Sequence, residues 1–146
     1  MSDQLVKIRN LWLEGRSDET WNPIINGVDL DLKKGEVLGL IGESGAGKST
    51  LGLAAMGFCR DGVRVSKGTV EFDGIDLFSA SAAVKRSLLG KRIAYVAQSA
   101  AASFNPAHQL IDQHVEAPVQ HGVSTRNESA DDGVELYRKL RLPNPE

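Results

Sequence analysis

The sequence predicts an α/β fold with antiparallel β additions. Three observations carry this reading. Val37-Leu38-Gly39-Leu40-Ile41 is a short continuous apolar run, the pattern of a strand buried on both faces. Val28-Asp29-Leu30-Asp31-Leu32 and Thr69-Val70-Glu71-Phe72 alternate instead, which is the period of strands with one wet face. The longest helical stretches follow these strands, as in chains that join strand–helix units to antiparallel strands.

Taken in order, Leu5 to Leu13 mixes apolar and polar residues and reads as a first strand. The alternating run 28–32 is a second strand, closed by a turn at Lys33-Lys34-Gly35-Glu36. The apolar run 37–41 leads into a glycine-rich loop. Ser49 to Phe58 follows with Leu51, Leu53, Ala54, Ala55 and Phe58, a helix buried on most sides. Its Gly52 and Gly57 lower intrinsic propensity and suit close helix-to-sheet packing. Lys67-Gly68 opens the strand 69–72, and Asp73-Gly74 is a strong turn signal. Ala80 to Leu89 is a helix ended by Gly90. Arg92 to Ala97 is a further strand with Gln98 at its carboxyl end. Ser99 to Asn105 is a small polar loop. Gln109 to Gln120 is a helix that Pro118 ends or kinks. Asn127 to Leu140 is a helix capped by Asn127, with Val134, Tyr137 and Leu140 on its apolar side. Leu142 to Glu146 reads as loop.

Composition bounds the function. The chain has 146 residues, with 17 Lys plus Arg against 19 Asp plus Glu, a net charge of −2. That balance gives no bulk field for nucleic acid or an anionic membrane. Cys59 is the single cysteine, so there is no internal disulfide, and a reducing compartment is expected. Charges interrupt Met1 to Arg9 before an apolar signal core can build. No window approaches the run of about 18 apolar residues that a membrane helix needs. A cytoplasmic protein is expected.

Glycine is the outlier, with 15 residues in 146. Eight of them lie between Gly35 and Gly62, which points to a place where backbone must come close to something. Gly42-Glu43-Ser44-Gly45-Ala46-Gly47-Lys48-Ser49 fits G-x-x-x-x-G-K-[ST], between an apolar run and a helical segment. The chemistry needs these residue types. Successive N–H groups from Gly45 to Ser49 form an anion-binding concavity at a helix N-terminus. Lys48 reaches the β- and γ-phosphates as a point charge. The Ser49 hydroxyl suits Mg²⁺, and Thr50 suits the α-phosphate. The pattern alone says nucleoside triphosphate.

Gly35-Glu36, the run 42–50, Gly68-Thr69-Val70 with Asp73-Gly74, and Tyr95-Val96-Ala97-Gln98 together resemble the ATP-binding subunits of ABC transporters. The likeness covers essentially the whole chain. Ser103-Phe104-Asn105-Pro106 looks like the peptide and nickel import branch, which shows Ser-Leu-Asn-Pro there. That branch's acidic-Pro pair after the glutamine is replaced by Ser99-Ala100.

The resemblance implies a P-loop ATPase core, with residues 1–98 as its N-terminal part and 99–146 as the start of an incomplete helical subdomain. It implies ATP and Mg²⁺ as cofactors, bound by Gly42, Glu43, Ser44, Gly45, Ala46, Gly47, Lys48, Ser49 and Thr50. Lys48 and Gln98 take the catalytic roles, and Ser49 and Gln98 the metal. Gln98 also couples nucleotide to permease. An aromatic residue stacking on adenine is expected upstream, and Trp21 is the candidate, with Trp12 as the alternative. The implied partners are two membrane permease subunits, docking near residues 98–121, a second ATPase subunit and, indirectly, an extracytoplasmic solute-binding protein. No nucleic acid is implied. The location implied is the inner face of the cell membrane, and the cargo a small peptide, with nickel or glutathione-like solutes behind it.

The family's four apolar residues followed by Asp-Glu, its Leu-Ser-Gly-Gly-Gln signature and its later histidine have no match here. The expectation is therefore an N-terminal piece that binds nucleotide with little turnover, exposes apolar sheet edge and self-associates. Three other classes remain open: an ABC ATPase acting on DNA, which calls for a basic stripe, a P-loop kinase, which calls for an arginine-rich lid, and a nucleotide sensor. His108, His114 and His121 lack partners at metal-ligand spacing. Lys85, Arg86, Lys91 and Arg92 read as a solvated helix end and strand start, and Cys59 as a buried thiol.

Overall fold

A computed structural model describes residues 3–99 and 103–143. The expected loop at 99–105 and the tail 142–146 therefore fall partly outside the described residues. The chain divides into two compact units, one ending at Lys85 and the other beginning at Arg86.

The first unit is built on a four-stranded antiparallel sheet. Its strands are β1 (Gln4–Ser17), β2 (Thr20–Lys33), β3 (Val63–Phe72) and β4 (Ile75–Asp76), in the order β2-β1-β3-β4. Helix α1 (Lys48–Ala55) belongs to the same unit. Each long strand exceeds its sequence expectation, because pairing with β1 carries the ladder past the apolar core residues. β1 holds the centre, bonded to β2 on one side and β3 on the other.

The burial pattern of β1 changes phase. Val6 and Ile8 are buried, and then Leu11 and Leu13. A regular strand would turn the second pair to the opposite face. The register slips between Ile8 and Leu11 against β2, and between Arg9 and Trp12 against β3. Asn10 absorbs the extra residue with φ of 45°. Its N–H donates to Asp29 Oδ1, and its own Oδ1 accepts from Trp12 Nε1, both at 2.9 Å. The bulge thus keeps all four apolar side chains on one face. Gly68 is the matching requirement on β3. It sits at φ +90°, and a Cβ there would lie 2.3 Å from the Asn10 carbonyl oxygen. Gly68 therefore lies inside the strand, not at its start.

The core of this unit joins Ile8, Leu11, Leu13, Val70 and Phe72 of the sheet with Leu77 and with Leu51, Leu53 and Ala54 of α1. Helix α1 is shorter than expected. It ends at the Met56 cap, so Phe58 lies beyond it and is exposed.

The run 37–41 departs from expectation. It has no regular secondary structure, and Val37 and Ile41 are 95% and 99% exposed. A continuous apolar strand is stable between two partners. None of the strands β1–β4 pairs with it among the described residues. Residues 92–97 behave alike in the second unit. Only Ile93 makes a bridge, to Leu89, and Val96 is 92% exposed.

Helix α2 (Ala82–Leu88) runs across the boundary of the two units. The second unit holds α3 (Leu110–Gln120) and α4 (Arg126–Lys139). Pro118 lies inside the last turn of α3, where it neither ends nor breaks the helix before His121. Two small buried residues of α4, Ser129 and Gly133, let the helices approach closely. A Cβ on Gly133 would come within 2.9 Å of the His114 ring. His114 in turn meets Tyr137 edge-on at 5.5 Å. The N-cap of α4 is Thr125, not Asn127. Thr125 accepts from the Glu128 N–H while Glu128 accepts from the Thr125 N–H, a reciprocal capping box.

That box makes a measurable contribution. Thr125→Ala should destabilise the second unit by about 1 kcal/mol in a urea titration. The Thr125 N–H and hydroxyl hold the Glu128 carboxyl below its ordinary value of 4.5. A depressed folded pKa gives stability that is present above the unfolded value and lost as pH falls through the folded one. The difference between wild type and Thr125→Ala should therefore shrink on acidification below about pH 4.

Candidate functional site

The glycine-rich segment 42–47 forms the loop that opens α1. Gly47 is the N-cap, in the left-handed conformation at φ 79°. No side chain caps the helix, and its first turn holds no acidic residue. The first-turn N–H groups are the natural donors for an anion, and the helix dipole adds to them. A ligand with several phosphate oxygens fits this arrangement.

The loop is seated by β2. A Cβ on Gly47 would come within 2.8 Å of Ile25 Cδ1 and 3.1 Å of Ile24 Cγ2. These neighbours both reach the loop because β2 carries an extra residue there. Leu13 pairs with Ile25, whereas Glu14 pairs with Pro23. Ile24 is thus a bulge residue, and sequence reading passed over it. Adjacent isoleucines in a strand carry no mark of a bulge until the pairing is known.

Lys48 folds over the loop. Its Nζ donates to the Gly42 carbonyl at 2.7 Å and to the Glu43 carbonyl. An ammonium has three N–H donors, so one remains for another acceptor. The Ala46 N–H donates to the Glu43 carbonyl at 3.2 Å, which tightens the turn. Ser44, Gly45 and Ala46 are exposed at the tip, Ser49 is exposed on the first turn, and Thr50 is half-buried behind it. The structure therefore brings Gly42 to Thr50 together as one surface.

Two further predicted residues lie outside the run 42–50. Gln98 belongs to the second unit, exposed in an irregular segment. Trp21 belongs to the first, on β2 opposite Arg16. Directly paired residues share a sheet face. Trp21 therefore lies on the face of Arg16 and Glu14, and Gly47 meets the face of Leu13 and Ile25. Trp21 is 36% exposed as a residue, and the Arg64 guanidinium lies over its ring at 4.1 Å. Arg64 is held by Glu14, through Nε at 2.9 Å and Nη2 at 2.8 Å. Trp12 is tied to Asn10, with the Lys67 ammonium over its ring at 5.4 Å. Elsewhere in the first unit, burial pushes the Cys59 thiol up, opposed by the charge of Lys85.

Gly47 is the residue least open to change. Gly47→Ala adds a left-handed backbone cost of about 1–2 kcal/mol and a collision with the bulged isoleucines. The first unit should lose about that much stability in a urea titration of Gly47→Ala.

Comparison with known proteins supplies the family. The sequence pattern of the ABC transporter family matches residues 25–143. The chain is 32% identical over 142 residues to the dipeptide transport ATP-binding protein DppD of Haemophilus influenzae, covering 97% of this chain and 43% of that protein. It is 35% identical over 106 residues to the peptide transport system ATP-binding protein SapD of Salmonella typhimurium, covering 73% and 32%. It is 32% identical over 121 residues to DppD of Escherichia coli, covering 83% and 37%. The chain thus spans less than half the length of these curated relatives. No helix among the described residues is long and apolar enough to cross a membrane. The glycine-rich loop at the start of α1 and the match over most of the sequence agree, and the chain belongs to the ABC transporter family as a stretch of its ATP-binding domain.

Proposed function

We propose that this chain is the nucleotide-binding part of an ATPase that drives import of a small peptide or a similar solute. The observation that carries the proposal is the uncapped α1 N-terminus behind Gly47, with Lys48 folded over it. The likeness to DppD and SapD supplies the cargo class.

In this reading the N–H groups of residues 45–49 and the Lys48 ammonium bind the triphosphate. Ser49 and Gln98 are the residues that would hold Mg²⁺, which screens phosphate charge when bound. Trp21 is the residue that the resemblance suggests for stacking on adenine. The permease subunits, a second ATPase subunit and a position at the inner face of the membrane are likewise proposals drawn from the family. The family's Asp-Glu and signature motifs have no match in the sequence, and binding without appreciable turnover is therefore part of the proposal.

Binding and turnover are tested on the chain itself. ATP should bind, and Lys48→Ala should weaken it by roughly tenfold or more, the loss of a charge-assisted contact. Robust hydrolysis that Lys48→Ala abolishes would contradict binding without turnover. Inorganic tripolyphosphate separates base from phosphate contacts. Trp21→Ala should weaken ATP and spare tripolyphosphate if the indole stacks on adenine; unchanged ATP affinity removes that role. The cargo class is tested in the host. Deleting the gene should lower uptake of a radiolabelled dipeptide several-fold while free amino acid uptake continues, and unchanged dipeptide uptake would refute it.

A further inference from the structure

Val37-Leu38-Gly39-Leu40-Ile41 reads nearly the same in both directions. A leucine stands on each side of Gly39, and a β-branched residue stands at each end. The run lies between the end of β2 at Lys33 and the glycine-rich loop that begins at Gly42. Every residue of it is exposed, and none has a positive φ. Among the described residues, no backbone hydrogen bond reaches 37–41. Its N–H and C=O groups are therefore used by no strand.

A β-prone segment with open backbone groups is a template for another strand. The near-palindrome decides which strand fits. An isologous contact sets residue i against j and j against i. With Gly39 on a two-fold axis, two antiparallel copies place Val37 opposite Ile41 and Leu38 opposite Leu40. Val37 and Ile41 share one face, and Leu38 and Leu40 share the other. Each cross-strand contact thus joins β-branched with β-branched or leucine with leucine. The centre is open as well. No heavy atom of the chain beyond its immediate neighbours lies within 4 Å of where a Cβ on Gly39 would stand. The flanks choose the direction. Lys33 and Lys34 precede the run. A parallel pair in register would set these lysines against their own copies, whereas the antiparallel pair sends them to opposite ends.

We propose that a second copy of this chain pairs with 37–41 as an antiparallel strand, about a two-fold axis at Gly39. The proposal goes beyond the nucleotide reading and does not rest on it. A ribbon of two short strands is marginal by itself, so the dissociation constant should be on the order of 0.1 mM.

The test uses the chain as it is. Sedimentation equilibrium from about 10 μM to about 1 mM should show a reversible dimer. Amide exchange at Leu38 to Ile41 should slow several-fold over the same range. Two double variants read the register. Val37→Lys with Ile41→Lys sets lysine against lysine in both end pairs. Val37→Glu with Ile41→Lys sets glutamate against lysine in both. The second should dimerise roughly tenfold more tightly than the first. Both positions are exposed, and circular dichroism checks that the sheet is retained. A monomer across the whole range would overturn the proposal. A monomer whose 37–41 amides are already protected would do so too, by showing the run covered within the chain. Equal constants for the two variants would exclude this register and overturn it. Assemblies larger than a dimer would also overturn it, since an isologous contact closes at two copies.

Discussion

The contact between Gly47 and the bulged pair Ile24–Ile25 governs the geometry of the first unit. The loop must present its N–H groups outward, so its back must rest on something apolar and close. A Cβ on Gly47 would press on two isoleucine side chains, and the left-handed φ of 79° already favours glycine. The bulge places both isoleucines against the loop, whereas a regular strand would offer one. The sheet beneath is held by β1, which bonds to β2 and β3. The helix that carries Lys48 and Ser49 thus takes its starting point from a neighbouring strand.

Much of this could be read from the residues. The phosphate loop is legible because its chemistry requires glycine and lysine at fixed spacing, whatever the surroundings. The hairpin strands are legible where apolar and polar residues alternate. The phase slip between Ile8 and Leu11 was not read from the sequence; its cause is the bulge at Asn10, which the pairing of β1 reveals. The boundaries were less legible. Thr125 precedes Arg126 and Asn127, and both Thr and Asn are good caps. Glu128 decides between them, because it lies three residues from Thr125 and one from Asn127.

The strands at 37–41 and 92–97 show where sequence reading and structure part. A run such as Val37 to Ile41 is a request for two neighbours, and periodicity reports the request without its answer. The described residues supply none, so the backbone lies exposed and irregular. Trp21 shows a different limit. Its spacing from Lys48 said nothing about sheet faces, which depend on the register of β1 with β2.

The two carbonyl bonds of Lys48 have a consequence for order. Gly42 and Glu43 hold the ammonium over the loop through two of its three N–H groups. A flexible four-carbon side chain is thus fixed by its own backbone. In the proposed reading a ligand would take the third N–H of a lysine already in place, so the entropy of ordering that side chain is not charged to binding.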